Sequence, residues 1–287
     1  ILEIRELITA MEYLRSAFTA KAIEFKDVIK MGRTQLQDAV PMTLGQEFAS
    51  YSRMIMEDIQ RLQEVIPLLS EINLGGTAIG TQLNAPKGYA AAACRALSEL
   101  TSMPFVVAAD MVEATQDAGV FVMVSGVLKR VAVKLSKTSN DLRLLSSGPR
   151  AGFGEINLPA RQAGSSIMPG KVNPVIPEMV TQVAFEVMGA DLTVSMAAEA
   201  GQLQLNAFEP IIARALLKAR EGDEVTLHTP AGAQRIATDE ADGGGHVEGR
   251  GFRARGRDDH GFEDGRGGGG MGGRAGRRQR KGRPSRR

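Results

Sequence analysis

Within the eleven residues Gly164–Pro174, two adjacent hydroxyls, Ser165 and Ser166, are followed by a cation, Lys171, and a carboxamide, Asn173. Gly164 and Gly170 free the backbone, while Pro169 and Pro174 stiffen it. These groups suit a small organic acid. Hydroxyl and amide donors hydrogen-bond a carboxylate, Lys171 supplies the opposing charge, and a serine oxygen held near a C–H bond is a candidate base. A surface turn with an ordinary lysine is the other reading of the same residues.

Such a loop must be held by rigid elements, and the periodicity predicts helices. Apolar residues from Leu2 to Phe25 recur at three- and four-residue steps, so residues 1 to about 31 read as one helix. The stretch 32–41, bounded by Gly32 and Pro41, reads as a polar loop. A second long helix is expected over about 43–72, with Thr43 as its cap and Glu47 in its first turn. Residues 75–84 form a glycine-rich loop, 86–100 a short helix, and about 110–146 one very long helix. In that long helix Gly119 and Gly126 lie on one face and leave room for a neighbour. A further helix over roughly 177–208 follows the Ser165 loop. The expected fold class is all-α, a bundle of long helices, and helices of this length need more neighbours than one chain supplies.

Composition limits the rest. Apolar residues make up 43% of the 287-residue chain and the net charge is +2. The charge is uneven: residues 1–212 are mildly acidic and 213–287 are basic. The expected domain organisation is therefore 1–212 as a helical-bundle domain, 213–241 as a short strand-like segment of different origin, and 242–287 as a Gly/Arg-rich tail. The tail has too few aliphatics for a core and is expected to be disordered. The stretch Glu221–Gly232 has the look of a short β-hairpin, similar to a strand–turn element of bacterial transcript-cleavage factors. The tail carries only Phe252 and Phe262 as aromatics among mixed charges, so a solvated tail is expected in place of a nucleic-acid contact. His246 and His260 are too far apart to suggest a metal site. The single cysteine, Cys94, excludes an intrachain disulfide, fits a reducing, cytoplasmic setting, and reads as a small buried filler in an Ala-rich helix. No run approaches the roughly eighteen uncharged apolar residues of a membrane span.

The stretch Gly164–Asn173 fills every polar position of G-S-S-x-M-P-x-K-x-N and so resembles the signature of the aspartase/fumarase superfamily. The resemblance extends over about residues 1–212. By matching positions it implies Ser165 as the catalytic base, Ser166 as a donor to the developing aci-carboxylate, and Lys171 and Asn173 as ligands of the substrate α-carboxylate. Gly32–Pro41 resembles a second family motif, G-x-T-H-x-x-x-A-x-P. Thr34, Ala39 and Pro41 match it, and Gln35 stands where His is usual. The resemblance makes Thr34 a carboxylate ligand and puts Gln35 near the leaving group. A carboxamide hydrogen-bonds an ammonium and cannot shuttle a proton, so Gln35 favours loss of ammonia over hydration. The lead-in Arg161-Gln162-Ala163 points the same way.

Glu178 matches the acid that pairs with the family's His; the other reading is a first-turn acid favoured by the helix dipole. Thr81 and Asn84 are weaker candidates in a loop whose glycines also suit close packing. The activity implied is reversible elimination of ammonia from L-aspartate to give fumarate. Hydration of fumarate to malate is the alternative, and a non-catalytic helical fragment is the third reading, since no Ser/Thr/Asn-rich first motif precedes Gly32 and an N-terminal domain is expected to be missing. The resemblance further implies no cofactor and no metal, and a homotetramer whose active sites are shared between three subunits.

Overall fold

The structure is a computed structural model that describes residues 1–227 except 163 and 169. Its main elements are five long helices: α1 Leu2–Glu24, α2 Leu44–Val65, α5 Gly119–Leu145, α6 Val175–Glu199 and α7 Glu209–Leu227. Between them lie a hairpin of β1 Ile29–Thr34 and β2 Gln37–Thr43, and a smaller region with α3 Tyr89–Thr101 and α4 Glu113–Gln116. In that region β3 Glu71–Ile72 pairs in parallel with β4 Val106–Val107. The all-α expectation holds for the described body.

The bundle forms because each long helix carries an apolar stripe that has to be covered. Leu7, Met11, Leu14 and Phe18 of α1 meet Phe48, Tyr51, Ile55 and Leu62 of α2, and Val131 and Leu135 of α5 close the cluster with Val180 and Val187 of α6. Removing one such side chain from water contributes about 1.5–3 kcal/mol. The Phe18, Phe48 and Tyr51 rings pack at centroid distances of 5.6–6.0 Å, within the favourable range for tilted aromatic pairs. A second cluster, with Val194, Ala197, Ile212 and Ala215, joins α6 to α7. At 27 residues, α5 is about 40 Å long.

Several boundaries differ from those expected. α1 stops at Glu24 because the chain pairs with the start of α2: Gly45 N–H donates to the Phe25 carbonyl at 2.9 Å and Leu44 N–H to that of Val28 at 2.8 Å. A Cβ on Gly45 would lie 2.5 Å from the Ala22 oxygen, so only glycine permits this approach. The expected 32–41 loop is a hairpin. Its strands are too exposed to show period-two alternation, and its turn, Gln35–Leu36, has left-handed backbone (φ 53° and 63°) without a glycine or asparagine to announce it.

The expected cap at Thr43 is present as a full capping box with Gln46. α2 ends ahead of Pro67, short of the expected residue 72. The expected 110–146 helix is two helices, parted at Asp117, whose carboxylate accepts the Gly119 N–H at 3.0 Å. Gly126 faces open space, so it receives no neighbour from this chain. α6 ends at Glu199, where buried Asn206 donates to the carbonyls of Ala197 and Ala198. α7 continues to Leu227, so residues 213–227 are helical where a strand-like segment was expected. The remainder of that segment and the Gly/Arg tail lie outside the described residues. Cys94 is buried in α3 as a filler. Among the described residues no helix is long and apolar enough to cross a membrane.

Candidate active site

The Ser165 loop spans the ends of α5 and α6, two helices that pack along their length. It is closed on itself. A Cβ on Gly164 would fall 2.1 Å from the Lys171 carbonyl oxygen, so the two ends of the serine-to-lysine segment touch only because residue 164 has no side chain. Asn173 Nδ2 donates to the Gly164 carbonyl at 3.3 Å and fastens the same closure. Gly170 turns the chain with φ 79°.

Inside this closure Ser165 is half-buried, and its Oγ accepts the backbone N–H groups of Ile167 and Met168 at 3.1 and 3.3 Å. Two amide donors on one hydroxyl oxygen favour negative charge there, the condition under which serine becomes a base. An open pocket of about 440 Å³ lies against the loop, lined by Arg161, Gln162, Ser165 and Lys171 among others. It therefore joins a serine oxygen with two cationic side chains, a setting suited to a small dianion. Arg161 and Gln162 enter the lining although nothing in their residue types marked them; only their place just before the loop did.

The other expected site residues lie elsewhere. Ser166 is exposed on the loop and Asn173 gives one of its two amide N–H groups to the closure, and neither lines the pocket. Thr34 and Gln35 are exposed at the hairpin tip and do not line it either. Glu178 is in the first turn of α6 with its Oε1 3.7 Å from Arg143 Nη2 at the end of α5. That place is the one the first-turn reading expects, and the cation facing Glu178 is Arg143. Thr81 and Asn84 are exposed, and Asn84 is left-handed (φ 64°). Among the described residues no three His, Cys, Asp or Glu side chains gather as a metal site would require.

A family model described as lyase matches residues 1–189. The chain belongs to this lyase family. Among curated relatives, the lyase chain is 61% identical over 214 residues to the aspartate ammonia-lyase of Escherichia coli strain K12, covering 75% of this chain and 45% of that one. It is 64% identical over 208 residues to the aspartate ammonia-lyase of Pseudomonas fluorescens, covering 72% and 44%. The chain thus spans under half the length of the curated relatives it matches. Among solved structures, the fold resembles a Brucella melitensis fumarate lyase:delta crystallin bound to cobalt, with a TM-score of 0.77 and 57% identity over 79% of this chain and 49% of that one. It also resembles a Schistosoma mansoni class II fumarase, with a TM-score of 0.75 and 37% identity over 77% and 49%.

Proposed function

We propose that this chain is the base-bearing part of an aspartate ammonia-lyase, an enzyme that reversibly eliminates ammonia from L-aspartate to give fumarate. The observation that carries the reading is Ser165 Oγ, held by two backbone N–H groups against a pocket that Lys171 also lines. The similarity to aspartate ammonia-lyases supports it.

In this reading Ser165 takes a proton from Cβ. The electron pair of that bond moves toward the adjoining carboxylate, giving an enediolate, and Ser166 donates to the oxygen where charge collects. Lys171 and Asn173 hold the α-carboxylate. The enediolate then collapses, the C–N bond breaks, and nitrogen leaves with the bonding pair as ammonia. Thr34 holds a carboxylate, and Gln35 hydrogen-bonds the departing nitrogen without exchanging a proton with it. That limit on Gln35 counts against the alternative, hydration of fumarate, in which water must be deprotonated.

Because the Ser165 pocket takes no lining from Thr34 or Gln35, the site in this reading is completed by other copies, as a homotetramer with sites shared between three subunits. Unpartnered apolar stripes support such an assembly: Met123, Gly126 and Val133 on α5, and Phe185, Leu192 and Met196 on α6, follow heptad spacing and are open to solvent or to a neighbour. A cytoplasmic location is part of the same reading, consistent with the buried reduced Cys94.

The test co-expresses this chain with a full-length aspartate ammonia-lyase whose own base serine is alanine, and reads fumarate formed from aspartate by its ultraviolet absorbance. Activity is expected to appear with this chain and to fall about 10³-fold with Ser165→Ala. Consumption of malate in place of aspartate, or activity indifferent to Ser165, overturns the reading.

A further inference from the structure

Glu155 stands at the root of the Ser165 loop, where sequence pattern alone marks nothing. Its Oε2 lies 2.8 Å from Lys30 Nζ and its Oε1 lies 2.5 Å from Arg33 Nη1. Both cations belong to β1, the strand that ends in Thr34 and leads to Gln35. Lys30 reaches on to Glu47 in the first turn of α2, 2.7 Å away. Arg33 also lies over the Phe153 ring, 4.2 Å from its centroid. The Lys30 side chain is only 8% exposed and that of Glu155 19%.

Lys30 and Arg33 are three residues apart, and on a regular strand they would point to opposite faces. Both nonetheless arrive at one carboxylate. The ladder is irregular between Met31 and Arg33, where Gly32 opposes two residues of β2, and the added local twist beside such a bulge lets the two side chains converge. Glu155 itself is fixed from behind: its N–H donates to the Leu145 carbonyl at the end of α5 at 2.9 Å, and the next residue, Ile156, is buried in the core. The strand, α2 and the loop root therefore meet at a shielded cluster of two cations and two carboxylates.

We propose that Glu155 is a positioning residue that locks the root of the Ser165 loop to the strand carrying Thr34 and Gln35 through Lys30 and Arg33. It touches no reacting atom. It sets where the loop starts relative to the hairpin tip, and a carboxylate bridging two cations on one strand permits one register where an apolar contact would permit sliding. The proposal rests on the functional reading above only in its consequence for turnover; the lock itself is independent of it.

Hydrogen exchange of the purified chain tests the lock without requiring activity. Glu155→Gln is expected to speed exchange about tenfold in peptides 155–162, 164–168 and 29–37, and to leave the cores of α1 and α2 unchanged. Lys30 keeps Glu47 and Arg33 keeps its ring contact, so the variant retains partners for both cations. Arg33→Lys, which keeps the charge and loses the fork, is expected to give a smaller effect. In the co-expressed enzyme Glu155→Gln is expected to lower kcat with little change in KM for aspartate. Unchanged loop exchange, or a uniform increase over the whole chain, overturns the proposal. Failure of the enzyme to turn over aspartate while the exchange pattern holds overturns the functional reading and leaves the lock standing.

Discussion

Asp58 Oδ1 on α2 lies 3.0 Å from Lys134 Nζ on α5, and the same oxygen lies 3.3 Å from Arg130 Nε. Asp58 is 2% exposed, so α2 and α5 are joined across their interface by a carboxylate taken out of water. Burial raises its pKa above the ordinary 3.8, and the attraction of Lys134 and Arg130 offsets this only in part. The folded chain therefore holds this proton more tightly than the unfolded one. The stability it contributes is fully present below the unfolded pKa and is lost as pH rises through the folded pKa. Asp58→Asn removes that dependence. Urea unfolding of both chains between about pH 4 and pH 7 is expected to show wild type at its greatest advantage over Asp58→Asn at the acid end. An advantage that grows toward neutral pH would show that the ion pairs outweigh burial.

The hairpin tip stores strain that a glycine would release. Leu36 has φ 63° and is exposed, so its side chain gains little from packing while its backbone sits in a region that costs an L-residue about 1–2 kcal/mol. Leu36→Gly is expected to raise stability by about 1 kcal/mol, read as a higher thermal midpoint. An unchanged or lower midpoint would mean that Leu36 makes a contact outside this chain.

Gly164 is predicted to be intolerant of any side chain for a local reason. With the Lys171 oxygen 2.1 Å from the position of an added Cβ, Gly164→Ala must push the loop open and carry Lys171 away from Ser165. Turnover in the co-expressed enzyme is expected to fall at least about 10²-fold, with a thermal midpoint within a few degrees of wild type, since the loop contributes nothing to the main core. Preserved turnover would show that the closed loop is not the working form.

The chain's local signals were strong wherever neighbouring residues alone decide the structure. The Thr43 cap, the apolar stripes of α1 and α2 and the Gly164–Pro174 loop all depend on contacts within a few residues, and each was legible, whereas the stop before Pro67 was not. The hairpin was not. Its exposed strands have no alternating pattern, and its turn uses Gln35 and Leu36 in a conformation their own preferences oppose. Only the pairing of β1 with β2 and the hold of Lys30 and Arg33 on Glu155 compensate that cost. The break between α4 and α5 is likewise invisible to periodicity, because the apolar period runs through it and the Asp117–Gly119 bond decides against continuing. Residues 213–227 are helical since Ile212, Ala215 and Ala219 find the apolar faces of neighbouring helices, which outweighs a composition that had suggested strand.

The same division holds for the site. Residue types and spacing determined that this chain carries two serines, a lysine and an asparagine in one loop, since that loop is built from eleven consecutive residues. Tertiary structure alone decided that Thr34 and Gln35 stand outside the Ser165 pocket and that Glu155 ties their strand to its root. Those relations join residues more than a hundred positions apart, and long-range packing and charge pairing, which leave no periodic trace in the chain, set them.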